Sequence, residues 1–419
     1  MSRYRSRHRH LPCVFMLFSA GAANNIVRLA FLASVVSIGS MMMIMPLGPD
    51  LVEGIGFDPA QIGNLVGGAM LGSAAASVLF AGLLDRFDRR PLLISLLGAR
   101  ALIFLACGFA REPAQLTGLF ILAGCINGPT IAVMMATLVD VIPDRQRGRA
   151  MALVATAFSV AAILAVPLSL QLSLHFGWRS TFLAFGLAGV ALTVMAMATI
   201  PSMTGHLEAK IDRGLLFKLL RQPAIGLALA VVAGQTLAHF LIVANFASHF
   251  QFNLGFPREN MALLYLIGGI STLVLLKASG HFFDHGWRHS NHMANAILAG
   301  IAITLTYLVH PPTASLYLLF ALFMAGSTAR TSSTNSLLVS LPRPRQRAAF
   351  MSLHNAASGV GSGLAGFLSS LLLTTAPDGQ LTGMSGLAMC SLILTLAMPV
   401  ITWVWLSPRL TRQPDSAST

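Results

Sequence analysis

Two stretches of this chain, Ile62 to Leu84 and Leu116 to Val139, contain no charged residue at all. A helix rises about 1.5 Å per residue, so about twenty apolar residues cross the roughly 30 Å hydrocarbon core of a bilayer. Inside that core every backbone N–H and C=O needs an internal partner, which leaves helices and closed barrels. Continuous apolar runs, rather than period-two alternation, select helices. The composition of the whole 419-residue chain agrees, with 55% hydrophobic and only 10% charged residues, where a soluble domain carries about 25%.

Runs of this kind predict spans at 29–48, 62–84, 91–110, 116–139, 150–174, 181–200, 224–247, 261–283, 293–309, 313–341, 348–375 and 381–406. The expected fold is an all-α membrane protein of about twelve transmembrane helices in two six-helix, pseudo-symmetric halves. Residues 1–28 form a basic N-terminal extension, 29–200 the first half, 201–223 a cytoplasmic linker, 224–406 the second half and 407–419 a cytoplasmic tail. The extension carries Arg3, Arg5, Arg7 and Arg9 before an apolar run ending in Ala20-Gly21-Ala22. That pattern also suits a cleaved secretory signal, but the first span follows too closely, and a cytoplasmic or interfacial extension is the expectation.

The net charge of +13 raises the question of nucleic acid. The positive residues form no stripe with interleaved aromatics; they occupy short connections between apolar runs. With the N-terminus inside, inner loops hold Arg86, Arg89, Arg90, Arg145, Arg147, Arg149, Lys210, Arg213, Lys218, Arg221, Arg288, Arg343, Arg345 and Arg347, against Arg111, Arg179 and Arg258 outside. That bias places both termini in the cytoplasm. The four cysteines, Cys13, Cys107, Cys125 and Cys390, show no metal-ligand spacing and are expected to be buried hydrophobes.

The chain also repeats. Asp85 and Asp284 both close a helix rich in small residues, and Arg145-Gln146-Arg147 with Met151 and Leu153 returns as Arg345-Gln346-Arg347 with Met351 and Leu353. Two parallel halves with one path between them is a transporter design.

The loop Gly82-Leu83-Leu84-Asp85-Arg86-Phe87-Asp88-Arg89-Arg90 resembles the signature of the major facilitator superfamily. Pro143-Asp144-Arg145-Gln146-Arg147-Gly148-Arg149 resembles its loop after span four, and Phe176-Gly177-Trp178-Arg179 the approach to span six. Arg330, followed by Arg347 and Phe350-Met351-Ser352, resembles the twelve-helix drug/proton antiporter and arabinose-efflux-like branch. In span five only Ala162, Val166 and Pro167 remain of the glycine-rich motif common in such antiporters, and in span four Gly124 stands where a related motif has arginine. The resemblance implies that Arg89 pairs with Asp140 and that this contact breaks as the halves rock. The expected gating set is Asp85, Arg86, Arg89, Arg90 and Asp140, with Asp284 and Arg288 in the degenerate second copy.

A charge at membrane depth is a functional candidate. No carboxylate lies near the middle of any predicted span; the mid-depth ionisable residues are Arg100, His239 and Arg330. Ser327, Arg330 and Thr334 make one polar stripe on span ten. Arg330 there either binds a carboxylate or phosphate in a wet cavity or pairs with a backbone carbonyl. His239 shares a face with Gln235, as a proton relay or as a packing residue. Asn127 on span four completes the substrate and coupling candidates. Met41, Met42, Met43 and Met45 read as lipid contact or as an adaptable cavity wall.

The resemblance thus implies a secondary transporter in a bacterial inner membrane, a monomer with no cofactor and no enzymatic activity. It would move a small organic solute, by export in exchange for protons or another coupling ion, with membrane lipid around it. Uptake or uniport by the same fold is the rival. A second rival is a metal enzyme using His281, His285, His289 and His292; the first three share a face if the segment is helical.

Overall fold

In a computed structural model of the protein, residues 22–84, 86–202, 218–309, 311–338, 341–342 and 346–406 are described. The first half comprises α1 (Ala22–Met42), the short α2 (Gly48–Ile55), α3 (Ile62–Leu84), α4 (Arg89–Gly108), α5 (Pro113–Val141), α6 (Asp144–Ala155), α7 (Ala157–Val160), α8 (Val166–Phe176) and α9 (Trp178–Thr199). The second half comprises α10 (Pro223–Val243), α11 (Met261–Asp284), α12 (Arg288–Tyr307), α13 (Leu316–Leu338), α14 (Arg347–Leu372) and α15 (Met384–Ile401). A minimal hairpin, β1 (Thr374–Thr375) and β2 (Leu381–Thr382), joins the last two helices. This is the all-α membrane architecture expected from the apolar runs.

Two spans begin or run differently from the sequence expectation. Helix α1 starts at Ala22, inside the segment assigned to the extension. The fifth span is not one helix: a π-turn, Ala161–Ala165, separates α7 from α8. Pro167 lies in the first turn of α8 and has no N–H to give, so the irregular turn ahead of it absorbs the mismatch.

Among the described residues nine helices are both long and apolar enough to cross a membrane. Helices α12, α13 and α14 have the length, at 20, 23 and 26 residues, but carry more polar side chains. Many of those side chains turn inward and bond one another. Asn291 Nδ2 donates to Ser279 Oγ at 2.8 Å, Asn295 Nδ2 to the same oxygen at 3.0 Å, and Thr334 Oγ1 meets His292 Nε2 at 2.9 Å. The face left outward is apolar, with Leu79 76%, Leu102 66% and Leu371 78% exposed. On a soluble protein so much exposed apolar surface would be a liability; in lipid it is solvated.

The cores show how the halves meet. At the end of the bundle that carries α2, one apolar core runs through both halves, from Met43, Phe104, Phe120 and Phe182 to Phe246, Phe250, Tyr265 and Phe320. At the opposite end there are two separate cores. One, around Leu29, Leu93, Leu138 and Leu153, belongs to the first half. The other, around Val231, Leu338, Phe350 and Met398, belongs to the second. Met41, Met43 and Met45 lie in the shared core, at 0–5% exposure, and Met42 lines the cavity between the halves, so of the two readings of the cluster lipid contact is the one excluded.

Helix α3 crosses α14 where both are glycine-rich. A Cβ on Gly67 would come within 2.6 Å of Gly363 O and 3.1 Å of Gly366 Cα. The two backbones therefore touch directly, and the Asn64 N–H donates to Ser370 Oγ at 3.0 Å across the seam.

Candidate translocation path and gates

Asp85 lies outside the described residues. In the rest of its loop, Asp88 caps α4 by accepting from the Arg90 N–H at 2.9 Å. Arg86 is exposed, and so is Arg90, whose Nη2 donates to Met197 O on α9 at 3.1 Å. Arg89 points inward. Its Nε is 2.6 Å from Asp140 Oδ2, with the two side chains 9% and 34% exposed. The pair bolts the start of α4 to the end of α5, within one half. Arg147 Nε closes the same corner by donating to Val139 O and Ile142 O at 2.8 and 3.0 Å, a basic cap on otherwise unpaired helix carbonyls.

The second copy is looser. Asp284 and Arg288 are exposed, and Arg288 Cζ lies 5.4 Å from the Phe283 ring centroid. The shared face expected for His281, His285 and His289 does not form. Helix α11 ends at Asp284, Gly286 turns the chain at φ 90°, and α12 starts at Arg288. His281 and His285 remain adjacent, with ring centroids 4.1 Å apart, while His292 is buried against Thr334. Among the described residues no group of three or more His, Cys, Asp or Glu is arranged to hold a metal.

The mid-depth candidates of the second half do come together. Ser327, Arg330 and Thr334 are all buried on α13. Arg330 Nη2 donates to Gln235 O of α10 at 3.3 Å. One turn further along α10, half-buried His239 stacks on Phe323 with centroids 5.6 Å apart and planes 8° off parallel. Gln235 Nε2 reaches Asn335 Oδ1 at 3.5 Å, and His354 Nε2 of α14 meets the same oxygen at 2.9 Å. Asn127 is in the other half, buried on α5, with no partner for Oδ1 among the described residues. Arg100 is buried and occupied: Nη2 donates to Ser37 O at 3.2 Å and to Ser40 Oγ, and Cζ lies 5.0 Å over Phe104.

Between the halves lies a narrow cavity of about 20 Å³, lined by Met42, Phe158 and Ala162 on one side and Tyr265, Thr272 and Thr328 on the other. That is room for a water, not for an organic molecule, so passage requires the halves to part.

Sequence reasoning missed the tie across the halves at the α2 end. Arg258 donates from Nε to Asp50 Oδ1 at 2.6 Å and from Nη2 to Oδ2 at 2.5 Å. Ser173 Oγ donates to the same carboxylate at 2.5 Å. His354 was missed as well: it is a lone histidine in a small-residue run, and only its partner Asn335 across the bundle marks it. His292 was read only as a member of the histidine cluster, and its contact with Thr334 was not foreseen.

Comparison with known proteins places this architecture. Residues 30–366 match the family model of the Major Facilitator Superfamily. Among characterised proteins, a gallate transporter of Pseudomonas putida is 29% identical over 164 residues, a match covering 39% of this chain and only 36% of that protein. Among solved structures, the D-xylose-proton symporter superposes with a TM-score of 0.72 at 15% identity, covering 91% of this chain and 97% of that one. The nucleoside transporter NupG gives 0.68 at 15% identity over 91% and 99%. A bacterial homologue of the human lysosomal transporter Spinster, inward-facing and occupied, gives 0.69 at 16% over 94% and 96%. The chain belongs to the major facilitator superfamily, and it is a membrane transporter rather than an enzyme.

Proposed function

We propose that this transporter moves a small organic solute by alternating access, exporting it across a bacterial inner membrane in exchange for protons, as a monomer with both termini cytoplasmic. The observation that carries the reading is the unequal joining of the halves: one continuous core at the α2 end and two separate cores at the other. Bodies joined at one end only can rock about a site between them. The positive-inside bias assigns the joined end to the outside, so this conformation is closed outward. The drug/proton and arabinose-efflux-like resemblance supports export, and the Pseudomonas gallate transporter supports an organic acid as cargo.

The test is a flux panel in proteoliposomes containing gallate, other organic acids and neutral solutes, with and without an imposed pH gradient. Export reading predicts solute movement against its gradient when protons flow the other way. Solute movement in the same direction as protons would replace export by uptake. Flux indifferent to pH would mean uniport.

A further inference from the structure

We infer that the guanidinium of Arg330 is the docking point for the carboxylate of the transported solute, which makes organic acids the substrate class; this rests on the transport reading above. Arg330 is 0% exposed. Its Nη2 donates to Gln235 O at 3.3 Å, while Nε and Nη1 have no hydrogen-bond partner among the described residues. Nε and Nη1 belong to the two different edges of the fork that share Nη2. An anion approaching along either edge therefore meets unpaired N–H groups.

No internal counter-ion stands ready. Helices α10, α12, α13 and α14 contain no Asp or Glu, and α11 has Asp284 alone, at its exposed end. A buried charge without a partner is strongly unfavourable, and a planar fork is matched by a carboxylate taking two parallel N–H bonds. Arg100 is the internal contrast: also buried, at 4% exposure, with one unbonded Nε, but held by two serine oxygens and the Phe104 ring.

The seam that covers Arg330 is poorly bonded. Between α10 and α13 its only hydrogen bonds among the described residues are the 3.3 Å contact to Gln235 O and the 3.5 Å contact from Gln235 Nε2 to Asn335 Oδ1, beside the His239–Phe323 stack. Gln235 Oε1, on the same seam, has no partner among the described residues, and it suits a hydroxyl donor on the same solute. Opening this seam uncovers the fork and the acceptor together.

The experiment is equilibrium binding and thermal unfolding of the full chain in detergent, with benzoate against benzamide, which has the same shape without the charge. Benzoate is expected to bind and raise the unfolding midpoint, and benzamide to do neither. Arg330→Lys should weaken benzoate on the order of tenfold or more, because the ammonium loses the fork. Arg330→Gln should abolish the response while raising the midpoint of the empty protein, since the uncompensated charge is gone; a purely structural arginine would lower it. Equal responses to benzoate and benzamide overturn the inference. So does an undiminished benzoate response in Arg330→Gln, or a midpoint unmoved by benzoate, phenylacetate and succinate alike. Should Arg330→Gln fail to fold, the acid and amide comparison on the unaltered protein decides. Carboxylate binding without liposome flux removes the transport reading and leaves the site; pH-driven flux of neutral solutes without carboxylate binding does the reverse.

Discussion

Arg258 grips Asp50 with two donor atoms across the seam between the halves, 2.6 Å from Nε to Oδ1 and 2.5 Å from Nη2 to Oδ2. The side chains are 18% and 17% exposed, so the pair is largely out of water, and Arg258 Nη2 also reaches Leu170 O at 3.3 Å. Such a pair tilts the rocking equilibrium toward the state closed at this end. Hydrogen bonds to charged groups are worth about 1.5–3 kcal/mol, so Asp50→Asn should shift that equilibrium by about tenfold or more. The readout is the labelling rate of a cysteine at Ala365, which is buried in the shared core. Labelling should speed up in Asp50→Asn, and exchanging the two residues should slow it again. An unchanged rate would remove the pair from the gate.

The glycine crossing of α3 and α14 makes a second demand on the same closed state. At Gly67 an added methyl meets backbone, Gly363 O at 2.6 Å, which has no rotamer to yield. Gly67→Ala should therefore hold the halves apart at the α2 end and cut flux by about tenfold or more, at normal membrane levels. Flux equal to the parent protein would show that the seam is not a working surface.

The fold and the site are legible in the sequence to different degrees at different residues. The uncharged runs predict α3 and α5 because lipid leaves a long apolar segment no other ordered form. Helices α12 to α14 are harder to read, since their serines, asparagines and histidines bond inward, as Asn291 and Asn295 do to Ser279. The pairing of Arg89 with Asp140 came from resemblance, not from spacing. The histidine face failed because a single glycine, Gly286 at φ 90°, ended the helix that the spacing assumed. The Asp50–Arg258 tie was invisible because its members are 208 positions apart, and nothing local to either residue announces the other.

Asp140→Asn tests the opposite end. The Arg89 pair is short at 2.6 Å, but Asp140 is 34% exposed, so water and salt weaken it to about 1 kcal/mol. We expect flux to fall by about fivefold, with insertion intact and the loss reduced further at high salt. Arg288→Gln, in the exposed second copy, should leave flux near the parent value. Asp85→Asn, in the same signature loop as Arg89, should be at least as damaging as Asp140→Asn. Equal sensitivity of Asp140 and Arg288 would mean that the two loops share the load.

Proton coupling needs a group that changes charge in the working range, and among mid-depth side chains that means histidine. Two are placed for it. His354 Nε2 and Gln235 Nε2 converge on Asn335 Oδ1 at 2.9 and 3.5 Å. That shared oxygen ties the His354 ring to Asn335 and, through it, to Gln235. At 6% exposure the ring is also sealed from water. His239 is half-buried, stacks on Phe323 without being bonded to it, and has Nδ1 unpaired among the described residues. A relay must gain and lose its proton as the cavity changes sides, and the less buried ring, held by a stack rather than by a hydrogen bond, meets that need. His239→Gln should therefore abolish flux driven by a pH gradient while leaving solute exchange at equal pH. His354→Gln should loosen Gln235 and Asn335 and slow both modes together. A pH-driven flux that survives His239→Gln but disappears in His354→Gln would move the proton to α14, and survival in both would leave the transporter without proton coupling through either histidine.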